Sequence, residues 1–307
     1  MKFSTELHAL ATTRTDITEF AHSEGNNVMS WIGFKHIMYL AEQGVLTHFR
    51  NAGLGFRRLF EEYGLLIEVV ANQGRILHAL KLDEEVRIVV APDARAASRL
   101  QFDISMFVER AGKPVKTYTG KVQVVLHADR SLAMAALAED LGALAPYVTG
   151  DGAPPDAAEP AMRGDAAEAT LHWTVTIPYF YCHGNERLKM AGYLRYMEEA
   201  DARFCQQQGI GVGKLLQGRR WIPAVPSARV RILAPAFIDE TLHLEYRVRE
   251  VVKTLLYTCT MDAWVERDGG RVHVATGEIV HGYAEVLSRK DWSMVNFSDD
   301  VLEAIGA

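Results

Sequence analysis

The sequence lacks the features of several protein classes. It has only three cysteines among 307 residues, and they form no CxxC motif, so we expect no disulfide framework. No apolar run approaches the roughly 18 residues that a membrane-spanning helix requires, and the N-terminal stretch has no apolar segment of a signal peptide. We therefore expect a cytoplasmic protein that makes no use of a membrane.

The sequence also lacks an excess of basic residues and the common metal-binding motifs. The net charge of −6 argues against nucleic-acid binding, which normally requires a strongly basic surface. There is no HExxH, no GxSxG, and no clustering of histidines at the spacing of metal ligands. We expect neither a metal nor another cofactor, and small molecules or proteins as the partners.

An internal repeat is present instead. Displacing the chain by 156 residues superposes glutamates, glycines and short motifs. The matches include Glu42 and Glu198, Gly53 and Gly209, RIL at 75–77 and at 231–233, and DE at 83–84 and at 239–240. Repeats of this kind indicate that the two halves share one fold.

A segment poor in large apolar residues separates the repeats. Residues 148–169 are rich in Ala, Pro, Gly and Asp, a composition typical of linkers. We therefore predict a first domain at 1–147, which ends in a helix over 131–147, and a second at 170–307.

Each half has the same predicted order of elements. In the second half, LHWTVTIP at 171–178 alternates as a strand does, and a helix follows with Tyr193, Met197 and Phe204 on one face. Glycines in QQQGIGVG end that helix, and four segments rich in β-branched and aromatic residues come after it. This order predicts an α+β fold with one long helix and an antiparallel sheet in each half.

Three stretches resemble a known family. GYLRYMEEADARFCQQQGIG at 192–211 is similar to the central helix of the 4-hydroxybenzoyl-CoA and acyl-CoA thioesterase family. RVRILAPAFIDETLHLEYRV at 229–248 and ATGEIVHGYAEV at 275–286 resemble its strands. The resemblance covers 171–288 and, more weakly, 14–128. It implies a tandem double hotdog, in which each long helix is wrapped by an antiparallel sheet.

The resemblance also implies where catalysis occurs. Family members hold a thioester carbonyl at the N-terminus of the central helix, and a carboxylate activates water or attacks directly. In one branch the carboxylate is an Asp in the loop, fifteen residues before the helix glutamate. Here His183 stands fifteen residues before Glu198, and Asn27 fifteen before Glu42. The implied catalytic residues are therefore these four, although a purely structural role for the glutamates stays open.

The missing Asp leaves several alternatives open. His183 or Glu198 can serve as the base of an acyl-CoA or acyl-carrier-protein thioesterase. The same two residues also suit a dehydratase or isomerase of 3-hydroxyacyl or enoyl thioesters. A third alternative is a binding or cyclisation protein that does not hydrolyse the thioester.

The first half lacks a base at the family position. Asn27 cannot accept a proton at neutral pH. The site of this half has therefore either lost its catalytic base or uses another residue as the base. The candidates for such a base are His22, His36 and Glu24.

Substrate-binding residues are expected in two places. The start of the second long helix offers backbone N–H groups from Lys189 onwards, with Met190, Gly192 and Tyr193 as contacts. Arg219 and Arg220 form a cationic pair that either binds the phosphate of CoA, docks an acidic carrier protein, or is ordinary surface charge. Two tandem chains can also pair as a homodimer, although no motif specifies it.

Overall fold

A computed structural model describes residues 2–93, 95, 99–129, 140–149, 170–182 and 186–306. Within these residues, helices combine with one antiparallel sheet in each half, as the predicted α+β class requires. His183 lies outside the described residues, as do 131–139 of the predicted helix and 150–169 of the predicted linker.

The first half contains three helices and six strands in its described residues. They are α1 (Ser4–Thr12), β1 (Thr15–Phe20), α2 (Phe34–Asn51), α3 (Phe56–Tyr63), β2 (Leu65–Ile76), β3 (Glu85–Pro92), β4 (Leu100–Arg110), β5 (Lys113–Ala128) and β6 (Val148–Thr149). Gly142–Tyr147 form a 3₁₀ helix rather than the end of an α-helix, because Pro146 lies inside it and Gly142 has a left-handed φ of 50°. The first two residues of the predicted linker are β6, which pairs in parallel with β5.

The second half repeats this order. It contains β7 (Thr170–Thr176), α4 (Met190–Gln207), α5 (Val212–Arg219), β8 (Trp221–Ile232), β9 (Thr241–Val252), β10 (Leu256–Arg267), β11 (Gly270–Val286), β12 (Trp292–Val295) and α6 (Asp299–Ala304). The long helices α2 and α4 each span 18 residues, and both ends are displaced by the repeat distance. The repeat in the sequence is therefore a repeat of structure.

An ion pair at the same turn shows how closely the halves correspond. Arg110 Nε donates to Glu84 Oε1 over 2.7 Å, and Arg267 Nε donates to Glu240 Oε1 over 2.6 Å. Both glutamates belong to the repeated DE motif. Each also accepts a hydrogen bond from a backbone N–H three residues before it, which fixes the turn.

The two halves join through their sheets. The strand order is β1-β3-β4-β5-β2-β8-β11-β10-β9-β7, and the junction is the antiparallel pairing of β2 with β8 from Ala71–Arg231 to Arg75–Ser227. The helices α2 and α4 also touch, since the Tyr39 hydroxyl donates to the Ala191 carbonyl over 3.0 Å. The start of α4 is therefore held against the side of α2. No helix among the described residues is long and apolar enough to cross a membrane.

Each long helix ends at a glycine, as its sequence predicts. Gly53 and Gly209 adopt φ of 81° and 73°, a left-handed conformation that side chains with Cβ atoms disfavour. A cation five residues later then donates to the glycine carbonyl, Arg58 over 2.7 Å and Lys214 over 2.7 Å.

One buried histidine joins α1 and β1 to α2. The Nε2–H of His48 donates to the Leu10 carbonyl over 2.9 Å, and the Thr15 hydroxyl donates to Nδ1 over 2.7 Å. Burial lowers the pKa of His48, because protonation would put a charge in the core and remove the Nδ1 acceptor.

We predict that this histidine makes the fold less stable in acid. Since its pKa is lowered in the folded chain, its contribution is complete above the unfolded pKa of about 6.5 and is lost as pH falls below that value. His48→Phe copies Phe204 at the equivalent position of the second half. This substitution should destabilise the fold at pH 7.5 by about 1–2 kcal/mol, seen as a lower melting temperature. It should also reduce the decrease in melting temperature between pH 7.5 and pH 5.5. An unchanged drop would contradict this role.

Candidate active site

The two predicted glutamates each face the start of the other half's long helix. Lys189, which precedes α4, acts electrostatically on Glu42 of α2. Glu198 of α4 reaches in the opposite direction: its Oε2 lies 2.6 Å from Lys35 Nζ, and its Oε1 lies 3.8 Å from where a Cβ on Gly33 would be. The result is two pseudo-equivalent sites. We call them the Glu42 site, which includes the first turn of α4, and the Glu198 site, which includes the first turn of α2.

The carboxyl of the Glu42 site is enclosed. Its Oε2 has no contact with solvent and no hydrogen-bond partner among the described residues. Burial raises the pKa of Glu42 from 4.5 to about 7, and the nearby charge of Lys189 opposes part of that rise. The neighbours in its helix row, Met38 and Val45, are fully buried. A carboxyl in such surroundings can accept and release a proton near neutral pH.

The first turn of α4 presents unused donors at the same site. Gly192 N donates to the Lys189 carbonyl over 2.9 Å, which closes the first turn. The N–H groups of Met190 and Ala191 precede the first N–H that donates within the helix and have no intrahelical partner. Together with the positive end of the helix dipole, they can hold a carbonyl oxygen that gains negative charge.

Gly192 permits the loop before α4 to close over the helix. A Cβ there would lie 2.6 Å from Leu188 Cδ1 and 3.1 Å from the Tyr181 carbonyl oxygen, so a larger residue would push the loop away. The other two predicted contacts, Met190 and Tyr193, are completely buried, and the Tyr193 hydroxyl has no hydrogen-bond partner in the described chain.

The Glu198 site has different chemistry, because ion pairs occupy it. Glu198 is bound by Lys35, whose side chain is 12% exposed, and Arg195 binds Glu24 with 3.0 Å between NH2 and Oε1. His36 is buried nearby, and burial lowers its pKa to about 4, so it is neutral at physiological pH. Both carboxylates of this site already have cationic partners.

The remaining predicted residues have local structural contacts. Asn27 stabilises the turn before α2, where its N–H donates to the Trp31 carbonyl over 2.7 Å and its Oδ1 accepts from Val28 N over 2.8 Å. Arg219 donates to Asp300 over 2.8 Å, and Arg220 to Glu285 over 2.7 Å. Both arginines lie at the C-terminal end of α5.

Sequence reasoning missed the two lysines. Lys35 and Lys189 occupy different positions of the repeat, since Ala191 is the counterpart of Lys35 and Gly33 that of Lys189. Comparing the two helix starts residue by residue would have revealed that each carries one cation in a different register. None of the described residues forms a group of three or more side chains suited to hold a metal ion.

The thiols do not suit nucleophilic catalysis. Cys205 and Cys259 are buried, and burial raises the pKa of both well above the ordinary value. Burial also raises the pKa of Cys182, to about 11. All three are therefore thiols rather than thiolates at neutral pH.

Residues 180–305 match the model of a family described as the thioesterase-like superfamily. No curated protein matches the sequence.

Solved structures resemble the chain along most of its length. One described as an oleoyl thioesterase from Lactobacillus plantarum is 13% identical, has a TM-score of 0.59, and covers 88% of this chain and 95% of its own. A 12:0-ACP thioesterase from Umbellularia californica is 12% identical with a TM-score of 0.60 and covers 92% and 97%. An acyl-ACP thioesterase from Bacteroides thetaiotaomicron VPI-5482 is 13% identical with a TM-score of 0.51 and covers 90% and 99%. The resemblance at this identity confirms the tandem hotdog fold.

We predict that Glu42 destabilises the fold when it ionises. Because its pKa is raised, the folded chain loses stability as pH rises from 4.5 towards 7, by at most about 3 kcal/mol. Glu42→Gln should therefore raise the melting temperature at pH 8 by about 5 °C and change it little at pH 4.5. Thermal unfolding at both pH values measures this.

The matched control is Glu198→Gln. It removes the ion pair with Lys35 and should give no gain at pH 8. If Glu42→Gln instead lowers the melting temperature at pH 8, Glu42 is a structural hydrogen-bonding residue.

Proposed function

We propose that this chain hydrolyses acyl thioesters of CoA or of an acyl carrier protein. Its second half matches the thioesterase-like superfamily, and the tandem hotdog fold extends over most of the chain. The observation that carries the proposal is the enclosed Glu42 carboxyl, with a pKa of about 7 and an unpartnered Oε2, on the side of the first turn of α4. The fold and the family match support the reaction class.

In the proposed reaction the thioester carbonyl lies at the start of α4. The N–H groups of Met190 and Ala191 donate to its oxygen, and Lys189 adds positive potential. The ionised Glu42 takes a proton from a water molecule as that water attacks the carbonyl carbon. The tetrahedral intermediate then collapses, the carbon–sulfur bond breaks, and the thiol leaves with the proton that Glu42 returns.

Glu42 suits this role better than its counterpart. A general base works best when its pKa lies near the working pH and an oxygen is free to accept a proton, and Oε2 of Glu42 meets both conditions. Glu198 is engaged by Lys35 over 2.6 Å and is 44% exposed. We retain Glu198 and Asn27 as a second, weaker site, and His183 as a further acid or base from the loop before α4.

The acyl group is carried to the enzyme either by CoA or by an acyl carrier protein. Arg219 and Arg220 lie on the surface and can exchange their carboxylate partners for a phosphate of CoA or for an acidic carrier protein. Both halves of one chain complete the Glu42 site, so the proposed activity needs no second chain, and a homodimer would be a further association.

We predict that Glu42→Gln lowers kcat/KM for acyl-pantetheine hydrolysis by about 10²- to 10⁴-fold, since it removes the base without changing side-chain size. Glu198→Gln should reduce it by less than about tenfold. His183→Ala tests the loop histidine. Intact-mass analysis of acyl-pantetheine and acyl-carrier-protein substrates follows the reaction, with wild-type enzyme as the reference.

The mass of the product separates the alternative functions. Free acid and thiol support hydrolysis. A thioester that stays intact but changes by one water would replace the proposal with a dehydratase, and an unchanged thioester that is still bound would indicate a binding protein.

We also predict a pH profile with a half-maximum near pH 7. Only the ionised carboxyl can accept a proton from water, so kcat/KM should fall as pH drops below the pKa of Glu42. Rates of the wild type between pH 5 and 9, with buffers of constant ionic strength, measure this. A flat profile across this range would exclude Glu42 as the base.

A further inference from the structure

The interior of the second half is polar where that of the first half is apolar. Between α4 and the sheet lie seven residues that carry hydrogen-bonding or thiol groups, which we call the inner polar cluster: Asp201, Cys205, Tyr246, Tyr257, Cys259, His281 and Tyr283. The repeat places apolar residues at all seven equivalent positions of the first half: Val45, Phe49, Val90, Leu100, Phe102, Val124 and Leu126. All seven apolar counterparts are buried. The same fold is therefore stable with an apolar interior.

Asp201 and His281 are the centre of the cluster. Asp201 Oδ1 accepts a hydrogen bond from the Tyr246 hydroxyl over 2.6 Å, and its Oδ2 lies 3.2 Å from His281 Nε2. The Tyr257 and Tyr283 hydroxyls lie 3.8 and 3.6 Å from Cys205 Sγ. These contacts connect α4 to β9, β10 and β11.

One group of this cluster has no partner. The His281 side chain is completely buried, and neither its Nδ1 nor its Nε2 has a hydrogen-bond partner among the described residues. Leaving a buried polar atom without a partner costs roughly 1–3 kcal/mol, and seven polar residues in place of apolar ones offer no packing advantage. Such an atom requires an explanation, and a bound polar group of a ligand is one that would satisfy it.

The second half also differs from the first at one point where its helix meets the sheet. A Cβ at Gly277 of β11 would overlap the terminal methyl of Met197, so a flexible methionine alone occupies this notch on the α4 side. In the first half, the equivalent Gly120 is covered by the rigid ring of Tyr118. At this point beneath α4 the second half therefore has a flexible side chain where the first half has a rigid ring.

The cluster lies along α4 from the proposed catalytic site. Asp201 is eleven residues beyond Met190, which places it about 16 Å along the helix from the N–H groups that hold the carbonyl. An acyl chain bound at those groups and running along α4 beneath Met197 leads to Asp201 and His281. The group that meets the cluster belongs to the distal part of such a chain.

We propose that the second half receives the acyl chain and that the inner polar cluster binds a hydroxyl or keto oxygen on the distal part of that chain. The substrate class is then an oxygenated acyl thioester rather than a plain saturated one. This inference rests on the proposed thioesterase function. A polar pocket discriminates strongly against an analogue that lacks the hydrogen-bonding group, because its own groups then stay unpaired.

The test compares matched substrates on the wild-type enzyme. Saturated acyl-pantetheines and acyl-pantetheines of the same length with one hydroxyl in the distal half are hydrolysed in parallel. We expect the wild type to favour at least one hydroxylated substrate by about tenfold or more in kcat/KM. A wild-type ratio at or below one for every hydroxyl position would overturn the inference while leaving hydrolysis intact.

Two variants locate the preference. His281→Val introduces the residue found at Val124 of the first half, and Tyr246→Phe removes only one hydroxyl. Each should reduce the preference for the hydroxylated substrate at least threefold. His172→Val, an exposed histidine of β7, is the matched control and should keep the wild-type ratio. If His281→Val does not fold, Tyr246→Phe alone tests the cluster. An unchanged ratio of kcat/KM between hydroxylated and saturated substrates in Tyr246→Phe would mean that the cluster only packs the core.

A binding measurement distinguishes failure of this inference from failure of the proposed function. If the wild type hydrolyses neither substrate, the dissociation constants of non-hydrolysable acyl-pantetheine thioethers, with and without the hydroxyl, are measured by calorimetry. Tighter binding of the hydroxylated thioether, lost in Tyr246→Phe, would support the cluster without catalysis. Equal binding of both thioethers would overturn it.

Discussion

The pairing of β2 with β8 is the constraint on which the rest of the structure depends. Five residue pairs, from Ala71–Arg231 to Arg75–Ser227, join two half-sheets into one and place the long helices in contact. Because the halves meet about a pseudo-twofold axis, a carboxylate on either helix points at the start of the other helix. A hotdog unit on its own would supply only half of each site.

The two halves share this fold but differ in the position of the charged residues at the starts of α2 and α4. Lys189 lies next to the start of α4, where Oε2 of Glu42 has no hydrogen-bond partner among the described residues, whereas Lys35 binds Glu198 directly. Burial of the Glu42 carboxyl raises its pKa to about 7, so it keeps its proton up to about that pH. The same divergence occurs in the interior, where apolar residues of the first half correspond to hydroxyl, thiol, carboxyl and imidazole groups of the second. The chain therefore has two similar scaffolds with different chemistry.

Much of the fold could be predicted from the sequence, because repeats, helical periodicity and glycine stops are local signals. The α+β class, the matching long helices and their ends at Gly53 and Gly209 all follow from such signals. The end of the first half differed from the predicted α-helix, since Gly142–Tyr147 form a 3₁₀ helix that contains a proline.

The site was harder to predict because its parts are distant in sequence. The glutamates at 42 and 198 are visible through the repeat, but their partners come from the other half, and nothing local specifies Lys35 or Lys189. The sequence favoured Glu198, which the family resemblance covers directly, whereas burial and ion pairing favour Glu42. His183 keeps its predicted role as a prediction from the sequence alone.

We infer that the Glu42 carboxyl, whose Oε2 has no hydrogen-bond partner among the described residues, titrates near neutral pH. The most direct measurement is an NMR titration of glutamate side-chain carboxyl carbons in ¹³C-labelled protein, with the Glu42 signal assigned by its absence in Glu42→Gln. We predict that this signal titrates at about pH 7, well above the ordinary glutamate value of 4.5. A midpoint at or below 4.5 would show a solvated or ion-paired carboxylate and would contradict the account.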